Sequence, residues 1–347
     1  MFFLKIEKEL QGRAVRLSNA DTLYIAKNND IYAYDGKAFS FAGGVPSKAG
    51  YKLIEPFRLL CRLLRYEIRA FSILSDGTKI ASTRQGVYFS EPHSLLLRPT
   101  VLRQGGISAQ PPMTITVDSN DRILWGEYWG NPKRRAVRLF VSEDKGRTYE
   151  PVYEFKSGEI RHVHNIFEDT YENCYWICAG DYGREVGIIR VSKNFDSFDW
   201  VIRGEQRYRA VNLFILKDSI IYATDTEEDY NGIYVLDKLS RRVEKICDIP
   251  GSSIYATKFG IWYAVSTSVE YFKKYKNDKA TLWISRNGTD WQQVYEAQKD
   301  IWSKKYFQFG SIVLPQGRWK KDTIVFSGQA LKGIDGRVFW AEVCEQD

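Results

Sequence analysis

Proline is scarce in this chain, 10 in 347 residues, and histidine is scarcer still, at three. No stretch approaches the roughly 20 consecutive apolar residues that a membrane-spanning helix needs, so no such span is expected. The opening Met1-Phe2-Phe3-Leu4-Lys5-Ile6-Glu7-Lys8-Glu9 turns charged after four apolar residues and lacks the apolar core of a signal peptide. Lys and Arg number 50 against 43 Asp and Glu, a net +7, yet no run of them exceeds two or three residues. A nucleic-acid surface is therefore not expected, and a discrete small anion is the partner the charge favours. The five cysteines, at 61, 174, 178, 247 and 344, are odd in number and show no metal-like spacing to the histidines. Cys174 and Cys178, four apart in a β-rich run, read as small buried hydrophobes on one strand face. These features favour a monomeric cytoplasmic protein with reduced thiols and no cofactor.

What is present points to many short strands. Aromatic residues make up 15% and glycine numbers 26, a composition suited to strands and tight turns. A length of 347 residues exceeds the usual single domain unless the fold is a barrel or a propeller, so residues 1–347 are read as one all-β unit of that kind. Strand-like segments recur in groups of four, a degenerate repeat of roughly 40–50 residues that signals propeller blades. The first group is 14–17, 22–26, 30–34 and 38–42. The second starts at Arg65, turns at Ser75-Asp76-Gly77 and continues through 79–83 and 86–90. The third runs from Met113 through 123–128 and 137–141 to 151–155, and the fourth holds 163–167, 175–179 and 187–191. The fifth is 211–216, 220–224, 232–236 and 243–246, and the sixth includes 255–258, 261–265 and 281–284. The last group supplies only 311–314, 323–327 and 337–342. An unassigned strand at 2–8 is expected to pair with 337–342 as its fourth, closing the ring and removing an exposed sheet edge. The count is seven blades, with six as the alternative.

One stretch carries a resemblance. Ser142-Glu143-Asp144-Lys145-Gly146-Arg147-Thr148-Tyr149 resembles the Asp-box, S-x-D-x-G-x-T-[W/Y/F], of the sialidase-like β-propellers at every defining position. Ser192-Lys193-Asn194-Phe195-Asp196-Ser197-Phe198, which lacks the Gly, and the shortened Ser285-Arg286-Asn287-Gly288-Thr289-Asp290-Trp291 resemble it in part. In that family the box is a structural turn between the third and fourth strands of a blade. Gly146 would take positive φ there, and the Asp144 carboxylate would cap turn amides. The resemblance implies a propeller whose active mouth lies opposite the boxes, where innermost strands begin and second strands end. The chain departs from true sialidases in that Phe57-Arg58-Leu59-Leu60 only echoes their Phe-Arg-Ile-Pro and lies in a connection between blades.

By that register the mouth collects Arg65, Arg69, Arg161 and Arg209 from strand starts, with Arg84, Glu127, Tyr128, Asp181, Arg184 and Asp225 from strand ends. Guanidinium forks bind a carboxylate, sulfate or phosphate bidentately, so Arg65, Arg69, Arg84, Arg161, Arg184 and Arg209 are the candidate ligand-binding groups. His162, His164, Glu127, Tyr128, Asp181 and Asp225 are the candidate catalytic groups, since carboxylates, imidazoles and phenols do proton or nucleophile work. His162 and His164 sit two apart at the start of an innermost strand and so project to one face, with Asp181 returning beside them. They read as base and substrate clamp near neutral pH, or with Asp181 as a metal set. An i, i+2 pair without a third His is a weak metal signal, and no metal is assigned. The plainer alternative is a set of solvated arginines and channel-lining histidines bonded to carbonyls. The function expected is a carbohydrate-active or carbohydrate-binding propeller handling an acidic glycan, as a glycoside hydrolase or a lyase. The alternatives are a non-catalytic scaffold or assembly factor and a cytoplasmic protein of a surface-polysaccharide pathway.

Overall fold

In four of the four-strand groups the second strand is covered on both faces, and its sequence shows it. Lys79–Thr83, Ile123–Gly126, Cys174–Ala179 and Trp262–Val269 are buried at every position. An outermost strand such as Gln292–Gln298 alternates between half-buried and exposed residues, as expected where one face meets water. The computed structural model describes residues 1–18, 22–47, 49–102, 109–274, 276–319 and 321–346.

Three separate sheets are simple antiparallel meanders. They are Ala70–Ile73, Lys79–Thr83, Gly86–Ser90 and Arg98–Pro99; Val163–Asp169, Cys174–Ala179, Gly187–Ser192 and Phe198–Arg203; and Ala210–Ile215, Ser219–Thr224, Asn231–Asp237 and Val243–Ile249. A fourth sheet runs Thr116–Val117, Ile123–Gly126, Val137–Ser142 and Thr148–Phe155, with Val101–Leu102 added in parallel. The remaining 13 strands form one curled sheet. It is continuous because Gln316–Trp319 pairs in parallel with both Arg13–Leu17 and Ser252–Phe259. At its edge Phe2–Gln11 lies antiparallel to Arg337–Glu345, Phe2 opposite Glu345 and Gln11 opposite Arg337. The fold is an all-β propeller.

Side-chain hydrogen bonds tie each group to the next. Ser72 Oγ donates to Ile115 O at 3.2 Å, Thr114 Oγ1 to His164 O at 3.0 Å, Asn165 Nδ2 to Val211 O at 3.2 Å and Asn212 Nδ2 to Ile254 O at 2.5 Å. Ser266 Oγ donates to Ile312 O at 2.6 Å, the Ala14 amide to Ser327 Oγ at 2.8 Å and Arg16 Nη1 to Ser72 Oγ at 3.1 Å.

The turn at Ser142–Tyr149 is built by its own polar groups. Asp144 Oδ1 accepts from Ser142 Oγ at 2.8 Å and from the Thr148 amide at 2.9 Å, and Ser142 Oγ accepts from the Gly146 amide at 2.9 Å. Gly146 has φ +83° and faces Ile80 of the neighbouring sheet. Tyr149 lies edge-on to Trp125, whose ring stacks on Phe140 at 4.2 Å. The two partial copies repeat the pattern with the serine hydroxyl accepting a turn amide, Asp196 N at 3.2 Å and Gly288 N at 2.9 Å.

Two departures from the sequence reading bear on the site. The connection after the first group contains a helix, Arg58–Leu64, and Arg65 is its C-cap with φ 54°, so the innermost strand of the second group begins later, at Ala70. Arg62 of this helix is buried and pairs with Asp300 at 2.6 Å and Asp335 at 3.3 Å, while Arg58 pairs with Asp335 at 3.0 Å. The second strand of the sixth group runs to Val269, four residues beyond the expected Val265.

Candidate functional site

Residues from three groups meet around one carboxylate. His162 and His164 stand at the start of Val163–Asp169, and Asp181 follows the end of Cys174–Ala179. Gly180 makes that return possible, because its φ is +76° and a Cβ there would run into the Glu185 backbone. Asp181 Oδ1 lies 3.2 Å from His162 Nε2 and 3.2 Å from His164 Nε2, and the two ring nitrogens are 3.2 Å apart. His162 Nδ1 donates to the Trp129 carbonyl at 2.8 Å. Arg209, just before Ala210–Ile215, brings Nη2 to 3.1 Å from Asp181 Oδ1 and 3.6 Å from Asp225 Oδ2. Arg161 Nη1 reaches Asp181 Oδ2 at 3.4 Å. The Tyr128 ring packs on His162 at 4.3 Å and edge-on to His164 at 6.0 Å. Tyr182 lies under both guanidiniums, at 5.1 Å from Arg161 and 5.6 Å from Arg209, and its hydroxyl donates to Glu227.

The carboxyl groups of this cluster are driven apart in acidity. Burial alone would raise Asp181, but the bonds to His162 and His164 and the charge of Arg209 outweigh it and hold Asp181 well below the usual carboxylate range. Asp225 is pushed up to about 6 by burial, against the pull of Arg209. Glu270 is raised well above its ordinary value by burial and by Asp225. Burial lowers His164 to about 4, against its bond to Asp181. Arg209 is lowered by burial but raised more by Asp225, Asp181 and Glu270. Among the described residues, Arg209 Nε and Nη1, Asp225 Oδ1 and His164 Nδ1 are buried without a protein partner.

A cavity of about 210 Å³ adjoins this cluster through Tyr128, with Arg13, Glu67, Arg69, Tyr255 and Gln329 in its walls. Among the described residues, Arg69 Nη1 makes one long bond, to the Pro111 carbonyl at 3.4 Å.

Of the twelve residues proposed from the sequence, His162, His164, Asp181, Asp225, Tyr128, Arg161 and Arg209 come together. Arg69 lies in the cavity wall. Arg65 and Arg84 belong to a second cationic group around Glu67, where burial and the neighbouring guanidiniums lower Arg65. Glu127 stands apart: its two oxygens accept the Gln110 amide at 2.8 Å and the Arg138 amide at 2.9 Å. Arg184 is exposed on the short helix Gly183–Glu185. Glu270 and Glu67 were missed. Glu270 follows a second strand as Asp181 and Asp225 do, and that equivalence is the signal that could have found it.

No protein-family model matches the sequence, and no curated protein matches it. Solved structures match in fold. The chain is similar to the WD40 β-propeller domain of Doa1, with 9% identity and TM-score 0.61 over 99% of this chain and 97% of that one. It is similar to the extracellular domain of a putative one-component system from B. thetaiotaomicron, with 9% identity and TM-score 0.59 over 97% of this chain and 39% of that one. It is also similar to an ancestral GH74 enzyme, with 10% identity and TM-score 0.56 over 98% of this chain and 47% of that one. At such identities the likeness is one of fold.

Proposed function

We propose that this propeller handles an acidic carbohydrate at the mouth formed by the Arg209 cluster and the adjoining cavity. The observation that carries the reading is the meeting, at one place, of guanidiniums with carboxyls in two different states of protonation. Asp181 is held ionised, while burial raises Asp225 and Glu270 so that a proton is retained nearer neutrality. Separated acidities of this kind equip a site for acid–base work on a glycosidic bond. Arg69 and Arg13 in the cavity wall supply forks for a uronate or similar acid group. The cavity is smaller than the roughly 300–1,000 Å³ of pockets for drug-sized ligands, which favours one acidic ring over a longer segment. The GH74 neighbour lends support at the level of fold alone.

The same reading treats the architecture as seven blades. Three four-strand groups within the curled sheet, added to the four separate sheets, make seven, and the seven hydrogen bonds that link one group to the next return to their starting group. Phe2–Gln11 then closes the last blade, and the three serine-led turns are Asp-boxes of the sialidase-like kind on the opposite face.

A glycan array containing uronic, nonulosonic and neutral sugars, read first for binding and then for cleavage, tests the proposal. Acidic glycans should be preferred, and binding should weaken as salt rises. Arg69→Gln should weaken it by on the order of 1.5–3 kcal/mol. Equal binding of neutral glycans, or no change in Arg69→Gln, refutes it. A second reading, a non-catalytic scaffold, is favoured by the exposed apolar side chains Leu53, Phe57, Leu60 and Leu64 around the inserted helix; on that reading the array shows no turnover.

A further inference from the structure

We infer that His162, His164 and Asp181 form a binding site for a borderline divalent cation of the Zn²⁺ class. His162 Nε2, His164 Nε2 and Asp181 Oδ1 make an equilateral triangle with 3.2 Å edges. With metal–ligand distances of about 2.0–2.1 Å, ligand atoms stand about 3.3–3.4 Å apart in a tetrahedral site and about 2.8–3.0 Å in an octahedral one. The triangle falls between these values, so the three atoms could share a cation on one face with almost no movement. Two imidazoles and a carboxylate are the donor set such ions take, with coordination positions left open.

Counting protons points the same way. The bond from His162 Nδ1 to the Trp129 carbonyl places the ring's proton on Nδ1, because a carbonyl can only accept. If that is the ring's one proton, Nε2 turns a lone pair toward Asp181 Oδ1 and toward His164 Nε2; only a ring carrying both protons donates to Asp181. With His162 singly protonated, a proton on His164 Nε2 can serve those neighbours but leaves the contact of His162 Nε2 with Asp181 Oδ1 as lone pair against lone pair. One cation satisfies all three atoms together. An imidazole whose other nitrogen donates to a backbone carbonyl is also the usual arrangement behind a metal ligand. All three side chains are at least nine-tenths buried, with 4%, 2% and 6% exposure for His162, His164 and Asp181.

The charges that face the triangle are Arg209 and Arg161 on Asp181, with Asp225 and Glu270 against Arg209. A carboxylate offers about four lone-pair sites, so Asp181 can keep both guanidiniums while binding an ion. The second group of possible ligands, Asp169, Glu172 and Cys174, is a poorer competitor because Asp169 Oδ2 already accepts from Lys238 Nζ at 2.5 Å and Trp176 Nε1 at 2.9 Å. The cation site goes beyond the glycan reading and stands without it.

The test is calorimetric titration of Zn²⁺ into the chelator-stripped full chain, followed by Co²⁺ loading of the unaltered protein. One ion per chain is expected. Asp181→Asn and His164→Gln should each weaken binding by about tenfold or more, while Cys174→Ser and His93→Ala leave it unchanged. Co²⁺ should shift the imidazole resonances of two of the three histidines, a measurement that needs no variant to fold. Failure to bind stoichiometrically even at millimolar Zn²⁺, binding retained within twofold by Asp181→Asn and His164→Gln, or unshifted histidine signals would each overturn the proposal.

Discussion

Replacing Gly146 by alanine tests how the turn at Ser142–Tyr149 is locked to its neighbour. The glycine has φ +83°, and a Cβ built there lies well inside contact with Ile80 Cδ1 and 3.3 Å from both Ile123 Cδ1 and Phe89 Cβ. The left-handed backbone costs an L-residue roughly 1–2 kcal/mol, and forcing a methyl into packed side chains costs about 1–3 kcal/mol. Gly146→Ala should therefore lose about 2–5 kcal/mol. Ile80→Val removes the offending Cδ1 methyl alone and by itself should cost about 0.5–1.5 kcal/mol. In the double variant the overlap is gone, so the combined loss should fall short of the sum by about 1 kcal/mol or more. Urea unfolding followed by far-UV circular dichroism, with unchanged slopes, gives each value. Additivity within about 0.5 kcal/mol would show that the clash contributes nothing and that backbone conformation alone sets the cost.

Asp225→Asn should alter the pH dependence of stability. Because the folded-state pKa is raised, from 3.8 to about 6, the protonated carboxyl contributes stability that is present in full below 3.8 and lost as pH rises through 6. The asparagine variant should match the parent near pH 4 and be more stable above pH 6, by about 1–3 kcal/mol; denaturant curves at the two pH values decide, and parallel behaviour at both refutes the burial argument. Deleting residues 1–11 removes the partner of Arg337–Glu345 and the Phe2 ring, which packs edge-on to Trp262 at 4.8 Å. The truncated chain should melt earlier by scanning fluorimetry and self-associate on size-exclusion chromatography, and a melting curve superimposable on the parent's would exclude that contribution.

Much of the strand pattern was legible where turn residues punctuate it. Asp30–Tyr34, Lys79–Thr83 and Gly86–Ser90 begin and end at the expected residues, because Asn28-Asn29, Ser75-Asp76-Gly77 and Arg84-Gln85 bound them. The sixth group misled for a physical reason. Ser266, Thr267 and Ser268 look like a loop, yet each is buried with its hydroxyl bonded across to Ile312, Thr281 or Ser311. Polarity satisfied across to a neighbouring strand or to the next blade is invisible to a reading of single segments, and the early stop at Val265 hid Glu270. The histidine pair and Asp181 were legible because a two-residue spacing and an antiparallel return bring them together without help from distant chain. The commitment of Glu127 to the amides of Gln110 and Arg138 could not be read in the same way, since backbone donors carry no residue signature. The inserted helix Arg58–Leu64 was lost to the expectation that everything between blades is connection.

The pairing of Phe2–Gln11 with Arg337–Glu345 sets a timetable for synthesis. At roughly 5–20 residues per second, the last strand leaves the ribosome about 15–65 s after the first, and for all of that time the first strand has no native partner. An open strand is an invitation to other chains, and the sequence meets it with charge: Lys5, Glu7, Lys8 and Glu9 interrupt the apolar residues within a single stretch. Those four residues guard the strand during the interval before its partner exists, and in the folded chain Lys8 and Glu9 go on to bond Gly36 O and Arg337.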